Sequence, residues 1–196
     1  MDLKIQYTSQ ADGTKKASIP DDTKEWALSF IHEQAGKPPS AIEAVVQAGQ
    51  DELLRVISGM SDDQACFTSG AEEWSALDVM AHVVTTKQVV VGLCRSLGQG
   101  MKPPGIGPEW EEESAQDGIT TTSFSSIMAA RDAAQAAHLE LVELIRDPDR
   151  ANTDIRFSHY IFGPLNAREW AVFQRIHDGD HIPQIERLVA SPDFPN

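Results

Sequence analysis

Two histidines four residues apart, His177 and His181, stand in the stretch HDGDHIPQI near the end of the chain. On a helix, positions i and i+4 lie one above the other on the same face. The rest of that stripe is largely apolar and contains Trp170, Phe173, Gln184 and Leu188. Both imidazoles are therefore expected to point into the protein. Because burying two neutral imidazoles without partners costs hydrogen bonding, a cation shared by both rings is one way to satisfy them.

Two donors are not enough for such a cation, since divalent transition metals in proteins are held by at least three protein ligands plus water. His82 and His138 each lie on an apolar stripe of another predicted helix, so each is a candidate third ligand. The competing interpretation of His138 is a hydrogen-bonded core residue. His32 is expected at the surface and His159 in a loop.

The same stretch contains residues that disturb a helix. Pro183 cannot donate to the carbonyl four residues back, which belongs to Gly179. Helical spacing resumes after the proline in IERLV, so a local kink is expected rather than a stop; the alternative is a helix that ends near Ile182. Asp178 and Asp180 are expected to point away from the histidines, at the surface or at the rim of the site.

Composition limits the class of protein. The 196 residues suit one compact domain, and 16 Lys+Arg against 30 Asp+Glu give a net charge of -14, which makes nucleic acid and membrane surfaces poor partners. Cys66 and Cys94 form no disulfide framework, as is typical of a reducing compartment. With no apolar leader and no apolar run near the roughly 18 residues of a membrane span, a soluble cytoplasmic protein is predicted.

Four amphipathic segments are predicted as helices. They run from Ser40 to about Gly59, from Ser75 to about Leu97, from about Ser123 to Arg146, and from Asn166 to about Ala190. Three of them begin with a residue pair that can cap each other's backbone N–H groups: Ser40 with Glu43, Ser75 with Asp78, and Asn166 with Glu169.

These helices predict an all-α fold, a four-helix bundle. The connection GQGMKPPGIGPEWEEESAQDGITTT is much longer than an antiparallel hairpin needs, so a long crossover connection is predicted between the second and third bundle helices. Its EWEEES stretch is interpreted as a solvated acidic loop or as the edge of a pocket. The bundle domain is expected at residues 40–190, with an N-terminal extension at 1–39 and a C-terminal tail at 191–196.

The extension is mostly polar. Within it, DDTKEWALSFIHEQAG is predicted as a short helix with Trp26, Phe30 and Ile31 on one side. LKIQY alternates like a strand, but no partner strand is evident. The extension is expected to lie against the domain; the alternative is a contact between two copies in a homodimer.

Two blocks of the chain follow a known family pattern. EEWSALDVMAH and FSHYIFGPLNAREWAVFQRIHDGDHIPQIERL resemble, in that order, the Trp-Ser stretch leading to a histidine and the H-x3-H helix of the DinB-like (YfiT-like) superfamily of metal-binding four-helix bundles. The resemblance covers about residues 40–190. It implies a metal held by His82, His177 and His181, and it identifies the long connection as the family's crossover. Gly179 and Pro183 depart from the pattern, which usually has ordinary helix formers there.

Three histidines suit zinc, nickel or iron and leave at least one position open for water or substrate. An open site can lower the pKa of water or of a thiol and so produce a nucleophile at neutral pH. Characterised members of the superfamily include thiol-dependent transferases and isomerases and some hydrolases. From this resemblance we predict that a low-molecular-weight thiol, or water, attacks an electrophilic small molecule. The rival hypothesis is a non-catalytic, stress-related bundle that binds a metal or a small molecule, since no general base beyond the metal is evident.

Several residues are candidates for supporting roles. Asp78, one turn before His82, is a candidate acceptor that orients an imidazole, although capping is its simpler role. Gln174 and His159 are candidates for contact with substrate. Cys94 is expected in the core and Cys66 in a loop, so neither cysteine is predicted as the nucleophile.

Overall fold

The computed structural model describes residues 3, 6–9, 15–70, 73–103, 123–150 and 154–195, and helices dominate them. The helices are α1 (Asp21–Ala35), α2 (Pro39–Val56), α3 (Asp62–Ala65), α4 (Ala76–Gly98), α5 (Ile127–Arg146) and α6 (Ala167–Val189). Two small antiparallel hairpins pair β1 (Gln6–Ser9) with β2 (Lys15–Ser18) and β3 (Phe157–His159) with β4 (Gly163–Leu165). A 3-10 turn, Pro148–Arg150, follows α5.

The four long helices form a bundle with the order α2, α5, α4, α6 around its axis. His82 faces His177, and Cys94 Sγ lies 3.2 Å from the carbonyl oxygen of Ala167, so α4 and α6 run antiparallel. By contrast, the first half of α4 packs on the first half of α5 and the second half of α4 on Leu141, so these neighbours run parallel. A connection between parallel neighbours must return along the bundle. The four-helix bundle with a crossover is therefore confirmed, although residues 104–122, with EWEEES, lie outside the described residues.

Local capping signals set the starts of two bundle helices as predicted. Ser75 Oγ accepts from the Asp78 N–H over 3.1 Å, while Asp78 Oδ2 accepts from the Ser75 N–H over 3.0 Å. Asn166 and Glu169 cap α6 in the same reciprocal way.

The predicted cap at Ser40 is wrong. The first helical residue of α2 is Pro39, and Pro38 occupies the capping position without a side-chain hydrogen bond. Proline at the first helical position has its φ already fixed for the helix, so the helix starts two residues earlier than the Ser-Glu pattern predicts. Glu43 instead accepts hydrogen bonds from Arg146 on α5 over 2.6 and 2.8 Å.

Residues before α2 contribute to the core. The predicted short helix is present as α1, which packs against α6 and buries Ala27 and Ile31 completely. Of the other two residues predicted on that side, Trp26 is 47% exposed and stacks on Phe30 at a ring distance of 5.6 Å. The LKIQY stretch overlaps β1, whose partner strand β2 was not recognised in the sequence. The homodimer contact stays a prediction.

Among the described residues, α4 alone is long and apolar enough to cross a membrane. However, 67% of its most apolar window is buried inside the bundle. A helix that is apolar on most faces is either a membrane span or a central core helix, and the surrounding helices place α4 in the second class.

Candidate metal centre

Three histidines from two helices converge in the bundle. His82, in the second turn of α4, and His177 and His181, one turn apart on α6, each bring one ring nitrogen to within 4.8 Å of the others. The Nε2 atoms of His82 and His177 are 3.1 Å apart. The three ring centroids are separated by 4.7 to 5.0 Å. The three rings therefore point into the bundle and lie close together, as expected from the apolar stripes of α4 and α6.

The environment of the cluster favours neutral imidazoles. Burial, and secondarily the neighbouring His181, lowers the pKa of His82 from 6.5 to about 3. Burial likewise holds the pKa of His177 well below its usual value, with smaller contributions from the other two histidines. Since a histidine must be deprotonated to bind a metal, both rings are ready to donate a lone pair at neutral pH.

The donor set fits a divalent transition metal. His181 Nδ1 lies 3.0 Å from Gln184 Oε1, and a carbonyl oxygen accepts, so this bond places the proton on Nδ1 and leaves Nε2 free to bind a cation. Two imidazole nitrogens about 2.1 Å from one tetrahedral cation lie about 3.4 Å apart. The observed 3.1 Å between His82 and His177 is close to that separation. In the described part of the chain, buried His177 Nδ1 has no hydrogen-bond partner.

Aromatic side chains border the cluster on two sides. The Trp74 ring lies 5.2 Å from that of His82 and is 43% exposed, so it marks the side of the cluster that faces solvent. The buried Phe173 ring lies 5.7 Å from that of His177. The cluster is thus partly enclosed by protein and open to solvent beside the indole of Trp74.

The competing ligand candidate does not join the cluster. His138 is buried, and its Nε2 lies 2.9 Å from Gln47 Oε1, so it has the hydrogen bond expected of a core histidine. Burial lowers its pKa as well. His32 is exposed, as predicted, with Nε2 3.8 Å from Glu169 Oε1.

His159 lies in β3 rather than in a loop, and it is buried. Its Nδ1 accepts hydrogen bonds from the backbone N–H groups of Ile161 and Phe162 over 3.1 and 3.3 Å. Four rings surround it at 4.5 to 5.4 Å: Tyr160, Phe162, Trp170 and Phe173. Burial lowers its pKa to about 3. In this structure His159 stabilises the β3–β4 turn, and its proposed contact with substrate has no support from its position.

The other supporting candidates are engaged elsewhere. Asp78 Oδ2 accepts from the N–H and the hydroxyl of Ser75, over 3.0 and 2.6 Å, so its observed role is the cap of α4. Gln174 is buried, and its Nε2 donates to Asp178 Oδ1 over 2.6 Å.

The expectation that Asp178 points to the surface or the rim is wrong. Asp178 is 1% exposed and forms an ion pair with the fully buried Lys87, with Nζ to Oδ2 at 3.0 Å. Because α6 packs against α1, α2 and α4, a side chain outside the histidine stripe still faces another helix. Asp180 is partly buried, and its Oδ1 accepts from the Leu3 N–H over 2.5 Å. Sequence analysis missed Lys87; its signal was one lysine within the apolar stretch VVTTKQVVVGL.

Helix α6 continues through Pro183 to Val189, so the alternative of a helix that ends near Ile182 is wrong. Both histidines therefore sit within a continuous helix. Cys94 is buried as expected, and burial raises its pKa to about 12, whereas Cys66 is exposed.

Comparison with known proteins gives one finding. The pattern that defines the DinB superfamily matches residues 46–185, a range that contains all three clustered histidines. No curated protein and no solved structure gave a match. Because the family match covers most of the chain and the fold is an all-α bundle with a crossover, this chain belongs to the DinB superfamily.

Proposed function

We propose that this protein is a metal-dependent enzyme in which His82, His177 and His181 hold a zinc, nickel or iron ion. Its reaction is the attack of a low-molecular-weight thiol, or of water, on an electrophilic small molecule. The observation that carries the proposal is the convergence of three ring nitrogens within 4.8 Å. A metal held by three imidazoles supplies Lewis acidity at its remaining position, where it lowers the pKa of a thiol or of water.

The residues around the cluster support an open site. Burial keeps His82 and His177 neutral, and Gln184 orients the ring of His181. Trp74 offers an apolar face beside His82 at the solvent side, where the organic part of a substrate would lie. This arrangement favours a small, partly apolar electrophile over a polymer.

A second candidate is a non-catalytic bundle that binds a metal or a small molecule. The observation that favours it concerns the three acids nearest the ligands in sequence. Asp78 caps α4, Asp178 pairs with Lys87, and Asp180 accepts from the Leu3 N–H. A proton acceptor for turnover would then have to come from the substrate, the thiol or the metal's own ligand.

Metal content tests the site. Protein purified without chelators is analysed by mass spectrometry of its metals, alongside His177→Ala and the matched control His138→Ala, which removes a buried histidine outside the cluster. The parent and His138→Ala are expected to carry stoichiometric metal, and His177→Ala to lose it. Equal metal in His177→Ala, or a folded parent that takes up no divalent metal, would refute the site.

Turnover separates the two candidates. Transfer assays with a panel of low-molecular-weight thiols and electrophiles, and a hydrolysis assay without thiol, are run on metal-loaded protein with and without chelator. Activity that falls with chelator and in His177→Ala supports the enzyme. Metal-loaded protein without turnover, or turnover insensitive to chelator, favours the binding protein.

A further inference from the structure

A buried polar group lies next to the histidine cluster. It consists of the Lys87–Asp178 ion pair, with 0% and 1% of the side chains exposed, and of two amides. Lys87 Nζ also donates to Gln50 Oε1, and Gln174 Nε2 donates to Asp178 Oδ1 over 2.6 Å. These four residues, here named the Lys87 network, connect α2, α4 and α6 through the interior of the bundle.

The Lys87 network and the histidines link the same two helices within about 8 Å along the axis of α4. Asp178 follows His177 directly, and Lys87 comes five residues after His82. At 3.6 residues per turn these steps correspond to about 100° and about 140° around the helix axes. The ion pair therefore links α4 to α6 beside the contact between His82 and His177, on a neighbouring side of both helices.

Stability alone does not account for this group. Desolvation of two charges largely offsets their attraction, and replacing a buried pair by apolar residues is often neutral or stabilising. In the described part of the chain, Gln50 Nε2 and Gln174 Oε1 have no hydrogen-bond partner, which is a further cost.

A buried ion pair does, however, discriminate between helix registers. A register change by one residue is a combined slide and turn of α6. It would move Asp178 about 1.5 Å along the axis and about 100° around it. Both charges would then be buried without a partner, which is strongly unfavourable. In the observed register, Lys87 and Asp178 form their ion pair and His82 Nε2 lies 3.1 Å from His177 Nε2.

We propose that the Lys87 network fixes the register of α6 against α4 and thereby positions His177 opposite His82 for metal binding. Lys87 and Asp178 are positioning residues that act through the helices without touching the cation. This inference rests on the proposed metal centre.

The test removes both charges and measures metal affinity and fold stability separately. Lys87→Met combined with Asp178→Asn nearly preserves side-chain volume and keeps an acceptor for Gln174. With Zn²⁺ as the probe and a competing chelator, the dissociation constant is expected to rise about tenfold. The thermal midpoint of the metal-free protein is expected to stay close to that of the parent.

The matched control neutralises another ion pair that involves α6. Arg175 Nη2 lies 2.9 Å from Glu52 Oε2 on α2, and this pair is partly exposed. Arg175→Met with Glu52→Gln is expected to leave the Zn²⁺ affinity within about twofold, since a surface pair restrains register weakly. Parent-like affinity in the Lys87/Asp178 double variant, or an equal loss in the control, overturns the inference.

Two further measurements cover the remaining outcomes. If the double variant does not fold, Gln174→Met, which leaves both charges in place, must weaken Zn²⁺ binding; unchanged affinity overturns the inference. If the parent binds no Zn²⁺, the titrations are repeated with Ni²⁺ and Fe²⁺, and a parent that binds none of the three refutes the metal centre itself. A crystal structure of the metal-free double variant then decides the positioning role, which is overturned if the Nε2 atoms of His82 and His177 keep the parent's separation.

Discussion

Substitution of His159 is expected to make the free energy of unfolding less sensitive to acid. Burial holds the pKa of His159 at about 3, against 6.5 for an exposed histidine, so the unfolded chain takes up a proton first as the pH falls. The contribution of His159 to stability is therefore complete above pH 6.5 and is lost as the pH falls from there toward 3. Between about pH 7.5 and about pH 5 this loss amounts to about 2 kcal/mol, at 1.36 kcal/mol per pKa unit.

His159→Asn tests this value because the new carboxamide oxygen can accept from the same two backbone N–H groups and does not titrate. At about pH 7.5 the variant is expected to be less stable than the parent by about 1–3 kcal/mol, since ring packing is lost. At about pH 5 that deficit should shrink by about 2 kcal/mol.

The assay is urea unfolding followed by circular dichroism at both pH values, with chelator present so that metal release does not contribute. His82 and His177 titrate in both proteins, and His159 makes the smallest of the charge contributions to the pKa of His177, so the difference between the two proteins reports mainly on His159. His32→Asn, at an exposed position, controls for the general effect of the substitution. A deficit that is the same at both pH values would refute the reasoning and would place His159 in contact with water.

Three other predictions follow from contacts described above. Ser75→Ala is expected to lower the free energy of unfolding by about 1 kcal/mol, whereas Ser40→Ala, which is not a cap, should change it by less than about 0.5 kcal/mol in urea titrations. Mass spectrometry after mild treatment with a thiol reagent should find Cys66 modified and Cys94 intact; rapid labelling of both would contradict the burial of Cys94. Addition of Ni²⁺ or Co²⁺ to metal-free protein should quench tryptophan emission, and Trp74→Phe should remove much of the response; an unchanged response would place the cation away from Trp74.

The parts of this structure that were predictable depend on residues within one or two helical turns. The i, i+4 spacing of His177 and His181 fixes their common face whatever surrounds the helix, and the caps at Ser75 and Asn166 each close over three residues. An apolar stripe on α4 made His82 one of two candidate third ligands, beside His138, and the resemblance to the DinB-like superfamily pointed to His82. The crossover followed from the length of the connection after α4.

The parts that were missed depend on tertiary neighbours. The stripe pattern predicts Asp178 at the surface because it gives α6 a single inward face, but three helices surround α6 and bury most of its circumference. The partnership with Lys87 joins residues 91 positions apart, and no local pattern encodes it. Ser40 failed as a cap because Pro39 competes for the first turn. The β1–β2 hairpin was missed because its second strand, KKAS, has no alternating pattern.

The hydrogen bond from Leu3 to Asp180 has a practical consequence for how the protein is produced. It holds the third residue of the chain against the helix segment between His177 and His181. An affinity tag of six histidines fused ahead of Met1 would begin two residues from that point and would offer its own imidazoles beside the cluster. Metal counts and chelator titrations should therefore use protein without a histidine tag, so that the stoichiometry reports on the bundle itself.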